Sequence, residues 1–392
     1  MTPQSKASAA PLNQSLQQRL SRGSHIPALD AVRGASAWLV VVGHTYGPDS
    51  LGRLAVSVFF VLSGFLITWL LVRESESTGR ISLRDFYIRR TLRIFPAFYV
   101  FWVICILAAM LRHAHIPWAE AWSSFFYMGD YYGALHATHV NQIMGVTWSL
   151  GVEEKFYLLW PATFALLHRN PVKLLRFALA SIAAIWIYRI VMCLSFSLPP
   201  DYLRYSFESR FDNILYGCAL ALGLKLLKIE PLLAAVDRFS ALPFLAGAVM
   251  LGMAFYEGRF GSTFVYVFGM ALTSMLVSVM LIQLVFLGSV RGWRWLDNRL
   301  FRFFGRISYS LYLYHIVVIG LVGYYFPHLR IRWSYPLIYG GSAAAAYASF
   351  VLIERPFLRL KDRFAVVAPA AEARAAVPQF KAQVAGVSDV AS

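Results

Sequence analysis

Arg33 and His44 stand eleven residues apart in the apolar run DAVRGASAWLVVVGHTYGPD, Asp30 to Asp49. Eleven helical steps of 100° make almost three whole turns, so both side chains share a face, about 16 Å apart along the axis. Charge at bilayer depth is costly, and ionisable residues inside a span are functional candidates by default. A guanidinium suits an anionic oxygen, and an imidazole suits proton transfer near neutral pH.

Other groups of the same kind follow. DFYIRRTLRIFP sets Arg90 and Arg93 at i and i+3, neighbours on one face where a helix begins. Paired arginines fork onto phosphate oxygens, and a helix N-terminus adds partial positive charge. The alternative is a basic membrane flank touching lipid headgroups, and the residues alone leave both readings open. GVTWSLGVEEKFYLLWP puts Glu153 and Glu154 inside a span, with Lys155 read as neutralising one of them. Counted from the outer end, Glu153 reaches the depth of His44, where a carboxylate can fix an imidazole tautomer and stabilise the imidazolium. Trp148 and Tyr157 suit an aromatic belt at the interface.

Ser63 and Gly64 in VFFVLSGFLITWLL are small residues in a bulky run. They read as close helix packing, with passage of a narrow ligand past the backbone as the alternative. Tyr309, Tyr312 and His315 in RISYSLYLYHIVVIG share a broad face. Their polar atoms either line a cavity or satisfy one another. Arg210 and Asp212 read as a structural ion pair, and Glu354 as the partner of a cytoplasmic arginine.

The elements that must hold these groups follow from composition. The 392 residues are 58% hydrophobic and 14% charged, against about a quarter charged in a typical soluble domain. The apolar residues fall into runs of membrane-spanning length. The expectation is an all-α polytopic membrane protein with about ten transmembrane helices, near 29–46, 54–72, 94–111, 148–167, 177–194, 211–224, 239–255, 263–289, 307–326 and 333–353. Most of the 36 Lys and Arg lie in alternate connections, which puts both termini in the cytoplasm by the positive-inside rule. The net charge of +16 is therefore read as topology, not as a nucleic-acid footprint. Residues 1–25 and 362–392 read as disordered cytoplasmic tails around a membrane domain at 26–361. Cys105, Cys193 and Cys218 form no metal spacing and read as packing residues. The longest outer connection, about 112–147, holds four of the nine histidines: His113, His115, His136 and His139. No internal repeat is evident, which disfavours an inverted-repeat transporter.

Taken in order, LDAVRGASAWLVVVGH, FFVLSGFLI, RRTLRIFP, WSLGVEEKFYLLWP, RFDNILYGCALA, ISYSLYLYH and IERP, across about residues 26–358, resemble the acyltransferase-3 family of integral membrane O-acyltransferases. The H-x4-D spacing in HTYGPD also matches soluble-type glycerolipid acyltransferases, but those have no ten-span core, and Gly47-Pro48 reads as an exit turn. The acyltransferase-3 resemblance implies transfer of an acyl group, most often acetyl from acetyl-CoA, to a carbohydrate hydroxyl at the bacterial inner membrane. Acceptors of the family include O-antigen of lipopolysaccharide, exopolysaccharide and, more rarely, macrolides. It implies catalysis by His44 with Arg33 beside it, donor binding by Arg90 and Arg93, and Glu153 as the carboxylate of the W-S-L-x-x-E motif. Ser63, Gly64, Tyr309 and His315 are candidate lining residues. No permanently bound cofactor and no metal are expected; acyl-CoA is a substrate, and the partners are a carbohydrate or glycolipid acceptor and membrane lipids, with no nucleic acid. Some members append an extracytoplasmic hydrolase-like domain, which is not expected here. The competing class is a transporter or flippase in which His44, Glu153 and Arg33 form a relay.

Overall fold

The computed structural model describes residues 27–45, 47–136, 142–196, 200–226, 241–261, 263–287 and 298–364. Residues 1–25, His139 and all of 362–392 beyond a turn at Asp362–Phe364 lie outside them. Every regular element among the described residues is helical. The helices are α1 Pro27–Thr45, α2 Asp49–Thr78, α3 Leu83–Leu111, short α4 Trp118–Phe125, α5 Gly129–His136 and α6 Gln142–Gly145, then α7 Thr147–Leu167 and α8 Pro171–Ser195. They continue with short α9 Pro200–Tyr205, α10 Phe207–Leu226, α11 Leu242–Phe255, α12 Met270–Leu287, α13 Arg299–Tyr325, α14 Ile331–Ser349 and α15 Arg355–Lys361. Wider π turns, Phe264–Gly269 and Phe350–Glu354, lead into α12 and α15.

Among the described residues, six segments are long and apolar enough to cross a bilayer: α2, α3, α8, α12 with its π turn, α13, and α14 through α15. The protein is thus an all-α, multi-pass membrane protein. Helices α1, α7 and α10 fall outside that set, and they carry Arg33 with His44, Glu153 with Glu154, and Arg210 with Asp212. Arg210 and Asp212 are buried and Arg33, Glu153 and Glu154 half-buried, while His44 at the end of α1 is exposed.

Two glycine contacts set the core. Helices α1 and α13 run parallel, and a β-carbon on Gly34 would lie 3.0 Å from the Gly305 nitrogen. Ten residues further along each helix stand His44 and His315, so the glycine contact sets the register of the histidines. On α2 and α10, a β-carbon on Gly64 would run into the Ile214 carbonyl, and one on Gly217 into the Val61 carbonyl. Such contacts let helix backbones approach as small residues allow in bilayers.

The outer connection folds back into the bundle. Trp102 Nε1 donates to Ala121 O at 2.8 Å, and Ser124 and Thr147 hydroxyls meet at 2.8 Å. Lys155 Nζ reaches out of α7 to Asp130 Oδ1 at 2.8 Å and Tyr127 O at 2.9 Å. Burial pushes the Asp130 carboxyl above its ordinary range while the Lys155 ammonium pulls it back. Lys155 therefore neutralises Asp130, not either neighbouring glutamate as the sequence suggests. Because α4 and α5 pack over its start, α7 begins inside the protein, and Trp148 is buried instead of interfacial.

The expected ion pair of Arg210 and Asp212 also resolves differently. Arg189 grips Asp212 with two bonds, of 2.6 and 2.9 Å, both side chains being fully buried. Glu354 accepts from Ser310 Oγ at 2.5 Å and has no ion-pair partner among the described residues.

Candidate active site

A cavity of about 250 Å³ opens between α1, α2, α3, α7 and α13. Arg33, Arg90 and Arg93 stand in its wall, Ser63, Glu153 and Tyr157 further along, and Ser149, Phe59 and Tyr312 at the other end. Its α2 edge runs from Leu70 to Val56, about 21 Å at helical rise. That length with so small a volume suits an extended slender chain, since pockets for compact ligands are roughly 300–1,000 Å³.

The basic end is free for an anion. Arg89, the neighbour of Arg90, is committed to Glu74 at 3.0 Å and to the Phe364 carbonyl at 2.9 Å. Arg90 and Arg93 make no ion pair among the described residues; Arg90 lies over the Phe86 and Tyr157 rings at 5.6 and 5.4 Å. Arg33 has Asp30 at 3.9 Å, too long for a good hydrogen bond. Three guanidiniums from two helices thus face one space.

Glu153 lies inside this cavity, away from the imidazole. Its Oε1 accepts from Ser63 Oγ at 2.9 Å and its Oε2 from the Tyr157 hydroxyl at 3.3 Å. Ser63 follows Gly52 by eleven residues on α2, and Gly52 is the residue beside His44, so the two sites are about 16 Å apart along that helix. The sequence expectation that Glu153 holds the imidazole is corrected on that ground. The buried start of α7 displaces Glu153 inward.

His44 meets another histidine instead. His315 Nδ1 donates to Leu311 O at 3.2 Å, because a carbonyl only accepts. Its neutral Nε2 is then an acceptor, 2.9 Å from His44 Nδ1. The proton between the rings therefore belongs to His44 Nδ1, and His44 Nε2 carries a lone pair. That nitrogen faces Gly52, whose added β-carbon would lie 3.7 Å away. His315 is buried while His44 is exposed at the end of α1, so the pair has one anchored ring and one accessible ring. Such an imidazole can take a proton from a bound hydroxyl.

The other candidates divide. Ser63 and Tyr309 line the cavity, but the Tyr309 hydroxyl donates to Ile94 O at 3.1 Å and its proton is in use. Gly64 is not a lining residue: one step of 100° from Ser63, it faces α10. His315 also lies outside the cavity, one turn beyond Tyr312, whose ring centroid is 6.1 Å from its own. Phe59 and Tyr312, 6.2 Å apart between ring centroids, mark the boundary between cavity and histidines. Nothing in the residue spacing joins His315 to His44; an intramembrane histidine is the one available signal.

The family model described as an acyltransferase domain, of the acyltransferase-3 type, matches residues 26–355. The chain is 28% identical to the peptidoglycan O-acetyltransferase OatA of Listeria monocytogenes over 86% of its own length and 56% of that protein's. It is 30% identical to a Bacillus subtilis protein named "Putative peptidoglycan O-acetyltransferase YrhL" over 76% of its own length and 49% of that protein's. The chain thus spans about half the length of these relatives. No solved structure matches it.

Proposed function

The chain belongs to the acyltransferase-3 family, and from that membership we propose that it moves an acetyl group from cytoplasmic acetyl-CoA to a hydroxyl of an extracytoplasmic carbohydrate. The observation that carries the reading is the narrow cavity with three arginines in its wall, Arg33, Arg90 and Arg93, whose other end stops at Tyr312, one turn short of His315. CoA phosphates bind the arginines, and the pantetheine arm lies along the cavity between α2 and α7. The thioester then reaches the histidine pair past the Phe59 and Tyr312 rings.

His44 Nε2 takes the proton of the acceptor hydroxyl as its oxygen attacks the thioester carbonyl. The carbon–sulfur bond breaks, the CoA thiolate leaves, and the imidazolium returns the proton to sulfur. His315 holds His44 in the tautomer this needs. Glu153, fixed by Ser63 and Tyr157, offsets part of the positive charge in the cavity. The names of the relatives make peptidoglycan the first acceptor to try, beside O-antigen and exopolysaccharide.

The test supplies purified protein with radiolabelled acetyl-CoA and fragments of each glycan. Label on a glycan, lost in His44→Ala, supports the reading. Label transfer that survives His44→Ala excludes the general-base role, and translocation of a glycan without acetylation favours a transporter.

A further inference from the structure

Arg210 is a buried charge that the transfer reading leaves unused. At the start of α10 it is 1% exposed, and the nearby Asp212 is occupied by Arg189. No carboxylate among the described residues forms an ion pair with Arg210. Its Nη2 donates to Ser57 Oγ at 3.3 Å, and its guanidinium lies 5.5 Å from the ring centroids of both Phe60 and Trp148. Its Nε is buried without a hydrogen-bond partner. Stripping water from a guanidinium costs more than one hydroxyl and two ring faces return, and Asp212, two residues on, is already held by Arg189, so the guanidinium can take a further anionic partner.

The same guanidinium lines a second cavity, of about 60 Å³, between the first turns of α2, the end of α11 and the π turn before α12. Arg53 and Glu257, also in its wall, are paired with each other. Their charges offset, which leaves the cavity with the positive charge of Arg210. Met250, Met253, Phe260 and Phe264 make much of the rest apolar. The volume admits about two water-sized groups, enough for the oxygens of an acid but not for a sugar ring.

Position gives this charge a use. Ser57 faces the cavity, and Gly52, about 140° round α2 from it, faces His44 Nε2. The cavity and the base thus flank the same helix end, about one helix diameter (~10 Å) apart. We propose that the Arg210 cavity binds an acidic group, phosphate or carboxylate, of the extracytoplasmic acceptor and so sets which hydroxyl reaches His44. The proposal rests on the transfer reading above. A phosphate on a membrane lipid shares this chemistry, and the experiment separates the two.

Full-length protein in phosphatidylcholine nanodiscs is heated with and without methyl phosphate or glucuronate, as wild type, Arg210→Gln and Arg210→Lys. The expected result is a rise in Tm of the wild type with either anion, absent in Arg210→Gln and reduced in Arg210→Lys, which keeps the charge but loses the planar fork. Transfer is then measured on a muramyl oligosaccharide and on its carboxyl-reduced form. Arg210→Lys should raise KM for the acidic acceptor about tenfold, leaving KM for acetyl-CoA and for the reduced acceptor unchanged; that is a loss of about 1.4 kcal/mol in binding.

No anion effect, or stabilisation by phosphatidylglycerol in the disc but by neither soluble anion, overturns the proposal. Equal loss on the acidic and reduced acceptors does so too. Should Arg210→Gln fail to fold, the Arg210→Lys measurements decide. Failure of the wild type to acetylate any acceptor defeats the transfer reading instead, and is distinguished by the Tm arm, which needs no turnover.

Discussion

His44 Nδ1 lies 2.9 Å from His315 Nε2, with the two rings within 6° of parallel. In the proposed transfer, a histidine does what a carboxylate does in a catalytic triad, fixing the tautomer and aim of His44 as the base. It adds no negative charge, so in the proposed transfer His315 stabilises the His44 imidazolium through its hydrogen bond only. His315→Ala should lower kcat by about 10²-fold, the scale of a misplaced catalytic group, with KM for acetyl-CoA unchanged. Steady-state kinetics beside a thermal melt checks this; a fall in Tm that accounts for all lost activity would return His315 to packing.

The arginine end makes a separable prediction. Arg90→Ala and Arg93→Ala should each raise KM for acetyl-CoA about tenfold or more, as loss of a charge-assisted contact of roughly 1.5–3 kcal/mol implies. KM for the acceptor should stay constant. Dephospho-CoA thioesters should lose less on mutation than acetyl-CoA if the 3′-phosphate is the group held.

Adjacent residues on α2 should fail in opposite ways. Ser63→Leu fills the cavity and removes a donor from Glu153, so it should depress kcat/KM for acetyl-CoA while the protein stays folded. Gly64→Ala drives a methyl group into the Ile214 carbonyl of α10, an overpacking that costs about 1–3 kcal/mol. Thermal unfolding of the two variants in one detergent reads the difference directly.

The Arg189–Asp212 pair is fully buried and bidentate. Removing one partner leaves an uncompensated charge and should cost about 3–5 kcal/mol, whereas Arg189→Met with Asp212→Leu should recover much of it. Folded yield and Tm of the single and double variants test the coupling.

Much of the fold was legible because hydropathy has the period and length of a bilayer, and ten expected spans have ten helical counterparts. Side-chain partners were not. Charge matching along the chain joined Arg210 to Asp212 and Lys155 to Glu153 or Glu154. Yet residues two apart on a helix do not share a face, and Lys155 found Asp130 on a connection folded back into the bundle. Counting from the outer end of its span puts Glu153 beside His44, but the first turn of α7 is buried under α4 and α5. The arginine cluster could be read because Arg90 and Arg93 are local neighbours. The histidine pair could not, being set by a glycine contact between helices some 270 residues apart in sequence.

On the proposed route donor and acceptor are used from opposite faces of the membrane, and sealed proteoliposomes separate those faces. With radiolabelled acetyl-CoA trapped on the side of Arg90 and Arg93 and the glycan supplied only on the side of His44, label should appear on the glycan and vanish in His44→Ala. Acetylation seen only when both substrates share one compartment would rule out transfer across the membrane.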